Sequence, residues 1–585
     1  MMIRPLALAL LGALAAPTAS AQVVFTDEAF EYDHDRPVAG DWLGNVQTGP
    51  GPAVWGALSI SSDDDGAYSA SITLLTLGLV NSACADVTVD RHSIEFAAAS
   101  TAARFIGQVS DAGQRLTGTM TVGAGSEPGS FEFARTPLAT HLPDPLAYRG
   151  ELESAFGNLA MTLVFAETAG GNWVGLIDVP AQGLTGLPLI GVHREGDAIK
   201  GELGVPAAPA RITVEFSDDR QRLTGRFKQG PFDLEIDFPR DAGYAPPTFD
   251  RPQHPEPPYP YIAREVTIEH PLGHVLAGTL TIPEGPGPFP AAVLITGSGP
   301  QDRDETIFNH KPFLVIADYL TRHGIAVLRY DDRGTAGSTG SFTGATTADF
   351  ATDALAAMRF ISTVDGIDRG RIGLIGHSEG GIIAPMVAGL TDDVAFMVLL
   401  AGTGVPGDEL LRVQGELVAK AMGVDEAMIA TNRAQQEKLF ELIRTGGGSD
   451  ELEQHVRELA RNQLEALGIE GQTLDDAVEA QVTQVMSPWM QYFITYDPRP
   501  ALGRVRCPVL ALNGMLDLQV YHDQNLPEIE EAITQGGGDV TIRRYEGLNH
   551  LFQPATTGAV SEYGTIQTTF DEAVLRDIVE WIRAR

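Results

Sequence analysis

RIGLIGHSEGGIIAPMVAG, residues Arg371 to Gly389, joins one apolar run to another through Gly376, His377, Ser378, Glu379, Gly380 and Gly381. IGLIG reads as a buried strand, and GGIIAPMVAGL reads as a helix that begins directly after the serine. Only a tight strand-to-helix turn fits between them, and glycines two before and two after Ser378 keep its backbone clear of its neighbours. The hydroxyl is then presented above a sheet, at the start of a helix whose unbonded N–H groups favour developing negative charge. A bare GxSxG match carries little weight in a chain with 64 glycines, and a serine in a tight turn can simply cap a helix. The strand before Ser378 and the helix after it favour a nucleophile.

The surrounding pattern extends this reading. AAVLITG, IAVLRYD, RIGLIG, AFMVLLAG and CPVLALNG are short, nearly continuous apolar runs separated mostly by helical stretches, and EVTIEH with HVLAGTLTIPEG forms a strand pair ahead of them. Strands apolar on both faces and alternating with helices predict an α/β fold with a mostly parallel sheet covered on both sides. Between Ala401 and Cys507 the pattern changes to charged amphipathic helices such as DELEQHVRELARNQLEALG. This predicts a helical cap insertion, either a lid bordering the ligand crevice or a stabilising excursion.

A serine needs a base, and three histidines follow Ser378. His455 lies in a charged helix and His522 begins a helix, whereas His550 sits in the loop LNHLFQP after the strand-like DVTIRRYEG, which puts it on the serine's edge of the sheet. The imidazole needs a carboxylate to fix its tautomer. Asp517 lies in the loop after CPVLALNG, while Asp539, the runner-up, precedes a strand and so belongs at the wrong end of the sheet. The expected catalytic set is Ser378, Asp517 and His550. For the oxyanion, one backbone N–H should come from Glu379 and the other from ITGSGPQDRD, where Ser298 is favoured and Gly299 is the rival.

GSGPQDRD, YDDRGTAGSTG, GHSEGG, NGMLDLQV and the late Asn549-His550 pair together resemble the α/β-hydrolase superfamily, in its secreted serine esterase branch near the prolyl-oligopeptidase-like hydrolases. The resemblance covers roughly residues 265–585. It implies serine hydrolysis without cofactor or metal, acting on a small-molecule carboxylic ester through an acyl-enzyme. A serine peptidase of prolyl-oligopeptidase type is the alternative, but such enzymes usually carry a large propeller. Thioesterase and acyltransferase chemistry shares the same intermediate. A secreted glycan- or lipid-binding protein would require loss of a triad member, and all three are present. Thr296 stands where related hydrolases often have histidine, and Arg333 resembles a loop-bracing arginine. Trp489, Met490 and Phe493, in SPWMQYF, are candidates for the pocket wall, with the core beneath the insertion as their alternative place.

At 585 residues the chain exceeds a single core. VSDAGQRLTGTM around Ser110 and FSDDRQRLTGRF around Ser217 define a repeat of 107 residues, and the alternating apolar runs in each copy predict two antiparallel β units, at 38–136 and 146–241, each a small sandwich or barrel. PPTFDRPQHPEPPYP marks a proline-rich linker over 242–263 before the catalytic domain at 264–585, with its cap at about 404–499. A net charge of −37 makes nucleic acid and anionic membranes poor partners, and no membrane span is expected. Cys84 and Cys507 fall in different predicted domains and read as buried thiols. Residues 1–21, with one arginine, an apolar run from Leu6 to Ala16 and then Ala19-Ser20-Ala21, read as a signal peptide for export to the periplasm or medium. The mature chain is expected to begin at Gln22, which N-terminal sequencing of exported protein checks; a chain still starting at Met1 contradicts it.

Overall fold

The computed structural model describes residues 29–30, 32–47, 54–63, 66–74, 79–98, 103–122, 128–154, 157–180, 184–203, 210–229, 232–246, 251–421, 424, 426–446, 450–466 and 471–585. The expected signal peptide lies outside them. The chain divides into two compact units, one built from 249–454 and 484–585 and the other from 4–248 and 455–483. No helix among the described residues is long and apolar enough to cross a membrane.

The first unit is organised by eight strands: β1 (Tyr261–Glu269), β2 (Val275–Pro283), β3 (Phe289–Ile295), β4 (Ala326–Tyr330), β5 (Ile367–His377), β6 (Phe396–Leu400), β7 (Val509–Gly514) and β8 (Val540–Tyr545). Their order in the sheet is 1-2-4-3-5-6-7-8. β1 and β2 pair antiparallel, β2 is antiparallel to β4, and every later pairing is parallel. Alternation along β3 shows why its sequence is apolar throughout. Ala291, Val293 and Ile295 join one core with Phe350, Ile383 and Ile529, whereas Ala292 and Leu294 join another with Phe313, Ile316 and Ile578. Helices on both faces supply those partners: α1 (Pro312–Arg322), α2 (Thr347–Ile361), α3 (Gly380–Ala388), α10 (His522–Gln535) and α11 (Glu572–Arg583). Pro312 opens α1, and α2 begins with a capping box in which Thr346 and Asp349 satisfy each other's backbone N–H groups.

After β6 come α4 (Gly407–Ala421), α5 (Glu426–Gly446), α6 (Asp450–Ala466), α7 (Gly471–Val485), α8 (Pro488–Thr495) and α9 (Arg499–Leu502). Arg461 pairs with Asp475 at 2.7 Å and Arg457 with Glu479, joining α6 to α7. The end of the proline-rich segment is held to this unit. Arg251 donates to the carbonyls of Phe308, Gly564 and Ile566, and Gln253 bonds Thr569 and Phe570.

In the other unit the first repeat is a closed antiparallel barrel of eight strands running from Gly40–Gln47 to Gly129–Arg135, each paired with its sequence neighbour. Closure pairs Trp42 with Arg135. The interior is filled by side chains including Val46, Ile72, Phe96, Phe105 and Phe133. The second repeat forms a four-stranded and a five-stranded sheet around one core, bridged by Tyr148 and Arg240, the counterparts of Trp42 and Arg135. Arg135 is 6% exposed, stacks 4.2 Å over Trp42, and donates to the carbonyls of Pro37 (2.6 Å), Ala39 (2.7 Å) and Gly113 (2.7 Å). Arg135→Met orphans those carbonyls and removes the stacked cation, so denaturation followed by tryptophan emission should show this unit destabilised by about 2–4 kcal/mol.

Candidate active site

β5 ends in the turn that carries Ser378. The serine has φ of 55°, a left-handed conformation, and its N–H donates to the Leu400 carbonyl at 2.8 Å, fixing it to the end of β6. The glycines are demanded by backbone contact. A Cβ at Gly376 would lie 2.1 Å from the Gly380 carbonyl oxygen, and one at Gly380 would lie 2.3 Å from that of Ile295 on β3. A Cβ at Gly297 would come within 3.3 Å of Ser378 Cβ, so this glycine leaves room beside the nucleophile.

The other expected members come from neighbouring strand ends. Asp517, fully buried in the loop after β7, accepts from the N–H groups of Gln519 and Val520 through Oδ1, each at 2.8 Å. Its Oδ2 lies 2.8 Å from His550 Nδ1, so the carboxylate orients the ring and leaves Nε2 for proton transfer. Asn549 shapes the His550 loop by accepting from the N–H groups of Leu551 and Gln553. His550 packs against His377, the residue before Ser378, with ring centroids 4.7 Å apart. The structure closes no hydrogen bond between Ser378 Oγ and His550 Nε2 among the described residues, a bond that in such sites commonly tightens only on substrate binding. Asp539 lies at the opposite end of the sheet, where its carbonyl accepts from the Val509 N–H at the start of β7. His522 begins α10 beside Asp523.

The N–H groups of Ser298 and Glu379 donate to no acceptor among the described residues, as an oxyanion site requires. The Ser298 loop is held from below: Thr296 Oγ1 donates to Asp332 at 2.8 Å, and the Gln301 N–H donates to the same carboxylate at 2.9 Å. Thr296 thus has a bracing partner in Asp332.

Four hydrogen bonds, two to Glu379 and two to Glu305, are not legible as sequence motifs. Glu379, only 2% exposed, accepts at Oε1 from Thr347 Oγ1 (2.7 Å) and Trp489 Nε1 (2.8 Å). Burial pushes its pKa up, and the hydrogen bonds from Thr347, Trp489 and Ser298 only partly oppose this. Glu305 bonds both Gly297 and His377. Of the three pocket candidates, Trp489 is hydrogen-bonded to the elbow and stacks on Phe493, while Met490 and Phe493 are buried. Arg333 braces α2 through both oxygens of Asp353 and the Asp349 carbonyl.

Asp353 also meets His270 and His274, whose ligand atoms with its own lie within 4.8 Å of one another. His270 Nδ1 accepts from the Leu272 N–H and its Nε2 faces Thr352 Oγ1, while Arg333 occupies both oxygens of Asp353. The donors are therefore committed to one another, and the set fits a hydrogen-bonded knot better than a metal centre.

A sheet of this strand order, with serine after the fifth strand, acid after the seventh and histidine after the eighth, defines an α/β-hydrolase, and the chain is a member of that superfamily. The pattern of the family described as X-Pro dipeptidyl-peptidase (S15 family) matches residues 273–542. Esterase EstD of Thermotoga maritima is 27% identical over 307 residues, covering 52% of this chain, and the matched region spans 65% of that protein. Among solved structures, DcsB bound to its substrate analogue is 17% identical over 55% of this chain and 99% of its own, with a TM-score of 0.35. The esterase Pf2001 of Pyrococcus furiosus is 14% identical over 55% and 90%, with a TM-score of 0.33. Asp517→Asn preserves the shape of the acid and removes its charge. It should lower kcat on any accepted substrate roughly 10⁴-fold at unchanged melting temperature, measured by steady-state kinetics and thermal unfolding.

Proposed function

We propose that the protein is a serine hydrolase that cleaves carboxylic esters through an acyl-enzyme. The observation that carries this reading is the left-handed Ser378 turn, with the unbonded N–H groups of Ser298 and Glu379 beside it and the Asp517–His550 pair on the adjoining strand ends. Ser378 Oγ attacks the ester carbonyl as His550 Nε2 takes its proton, and the oxyanion is received by the two N–H groups. The proton passes to the departing alkoxide as the acyl C–O bond breaks. A water, deprotonated by His550, then attacks the acyl carbon, and the acyl–Oγ bond breaks as His550 returns that proton to Ser378, releasing the acid. Likeness to esterase EstD supports the ester as substrate. Trp489, bonded to the residue after the nucleophile, is the best candidate for a wall of the acyl or alcohol pocket.

The second reading is a peptidase of the X-Pro dipeptidyl type, which the S15 family match over 273–542 favours. Export to the periplasm or medium belongs to the proposal through the leader-like residues 1–21.

A panel of nitrophenyl esters of increasing acyl length, run beside Xaa-Pro nitroanilides, separates the two readings. Ester turnover and fluorophosphonate labelling should both be present in the wild type and absent in folded Ser378→Ala. Labelling that persists in the variant sinks the assignment, and turnover confined to the nitroanilides transfers it to the peptidase.

A further inference from the structure

His377 and Glu305 form a buried pair directly behind the nucleophile, 5% and 3% exposed. His377 Nδ1 lies 2.9 Å from Glu305 Oε1, and its Nε2 lies 3.1 Å from the backbone carbonyl oxygen of His550. A carboxylate oxygen and a carbonyl oxygen are both acceptors, so the two ring nitrogens must both donate for both bonds to form. The same Oε1 of Glu305 accepts from the Gly297 N–H at 2.7 Å. One pair therefore touches the serine turn through His377, the oxyanion loop through Gly297, and the base loop through the His550 backbone. Glu305 is also held at φ of 53°, a conformation that a glutamate keeps only where its surroundings enforce it.

We propose that Glu305 and His377 are positioning residues, a buried imidazolium–carboxylate pair that sets the oxyanion loop and the His550 loop in register with Ser378. The inference rests on the serine-hydrolase reading for its effect on rate, and on the two short contacts for the charge state. The charged and titratable groups facing His377 are Glu305 from the oxyanion loop, and His550 and Asp517 from the loops after β8 and β7. Burial by itself would push the His377 pKa down. The charge and bond of Glu305, the bond to the His550 carbonyl and the charge of Asp517 outweigh burial and leave it raised. With a raised folded value, the pair is intact below that pKa and is lost as pH rises through it. A neutral His377 keeps one ring proton for two acceptors, so either Glu305 or the His550 carbonyl is released. The loss therefore falls on the alkaline limb of the rate profile.

Glu305→Gln keeps the size and an acceptor oxygen for Gly297 but removes the charge. It should lower kcat roughly 10- to 100-fold with little change in KM, and move the alkaline limb of kcat to lower pH. His377→Gln should cost a similar factor, and the double variant no more than the worse single, because the two act as one unit. NMR of isotope-labelled imidazole nitrogens reads the pair without any substrate: His377 should carry two ring protons at neutral pH in the wild type and one in Glu305→Gln. A wild-type His377 with a single ring proton overturns the proposal. So does a folded Glu305→Gln whose kcat stays within about twofold of wild type with the alkaline limb unmoved. If Glu305→Gln does not fold, the wild-type spectrum decides. Failure of the wild type to label at Ser378 would defeat the serine-hydrolase reading, and the spectrum would still decide the pair.

Discussion

With φ at 55°, Ser378 holds a backbone conformation that costs a residue with a side chain roughly 1–3 kcal/mol, and the packing of β3, β5, β6 and α3 must keep it there. Gly376 and Gly380 let the turn close against its own backbone and against the end of β3, while the bond from the Ser378 N–H to Leu400 fastens it to β6. Everything chemical in the site refers to that turn. The Glu379 N–H points where it does because Glu379 is the next residue, at the cap of α3, and the Ser298 loop lies alongside because β3 pairs with β5 up to Ile295 and Gly376. Asp517 and His550 need only follow the next parallel strands outward to reach the same edge.

Much of this could be read from the chain, because the information is local. Five runs apolar on both faces define buried parallel strands, and a catalytic residue directly after such a run must lie at the carboxyl edge of the sheet. The same logic separates Asp517 from Asp539, which precedes its strand. The Glu305–His377 pair is not local: QDRDE looks like any polar loop, and the two residues meet only because β3 and β5 are neighbours in space. Trp489 is equally remote from Glu379, 110 residues away in sequence, and its indole bond depends on the fold of the inserted helices rather than on their periodicity. In the β repeats, alternation predicts antiparallel strands, whereas closure depends on the register between the first strand and the last. The pairing of Trp42 through Gln47 with Arg135 through Ser130 settles that.

The acidic groups around the serine also divide by environment. Asp517 has its charge met by two N–H groups and an imidazole, and Glu305 by an imidazole and an N–H. Glu379 receives only uncharged donors, the hydroxyls of Thr347 and Ser298 and the Trp489 indole, and burial raises its pKa.

Trp489 gives the molecule an optical handle on its own site. Trp42, Trp55, Trp173 and Trp581 are all buried, and Trp489 is the one of the five that keeps partial access to solvent. A dissolved collisional quencher reaches that indole ahead of the others. Its N–H is held by the residue that follows the nucleophile, so any ligand that shields α8 or shifts it off Glu379 alters both the colour of its emission and its accessibility.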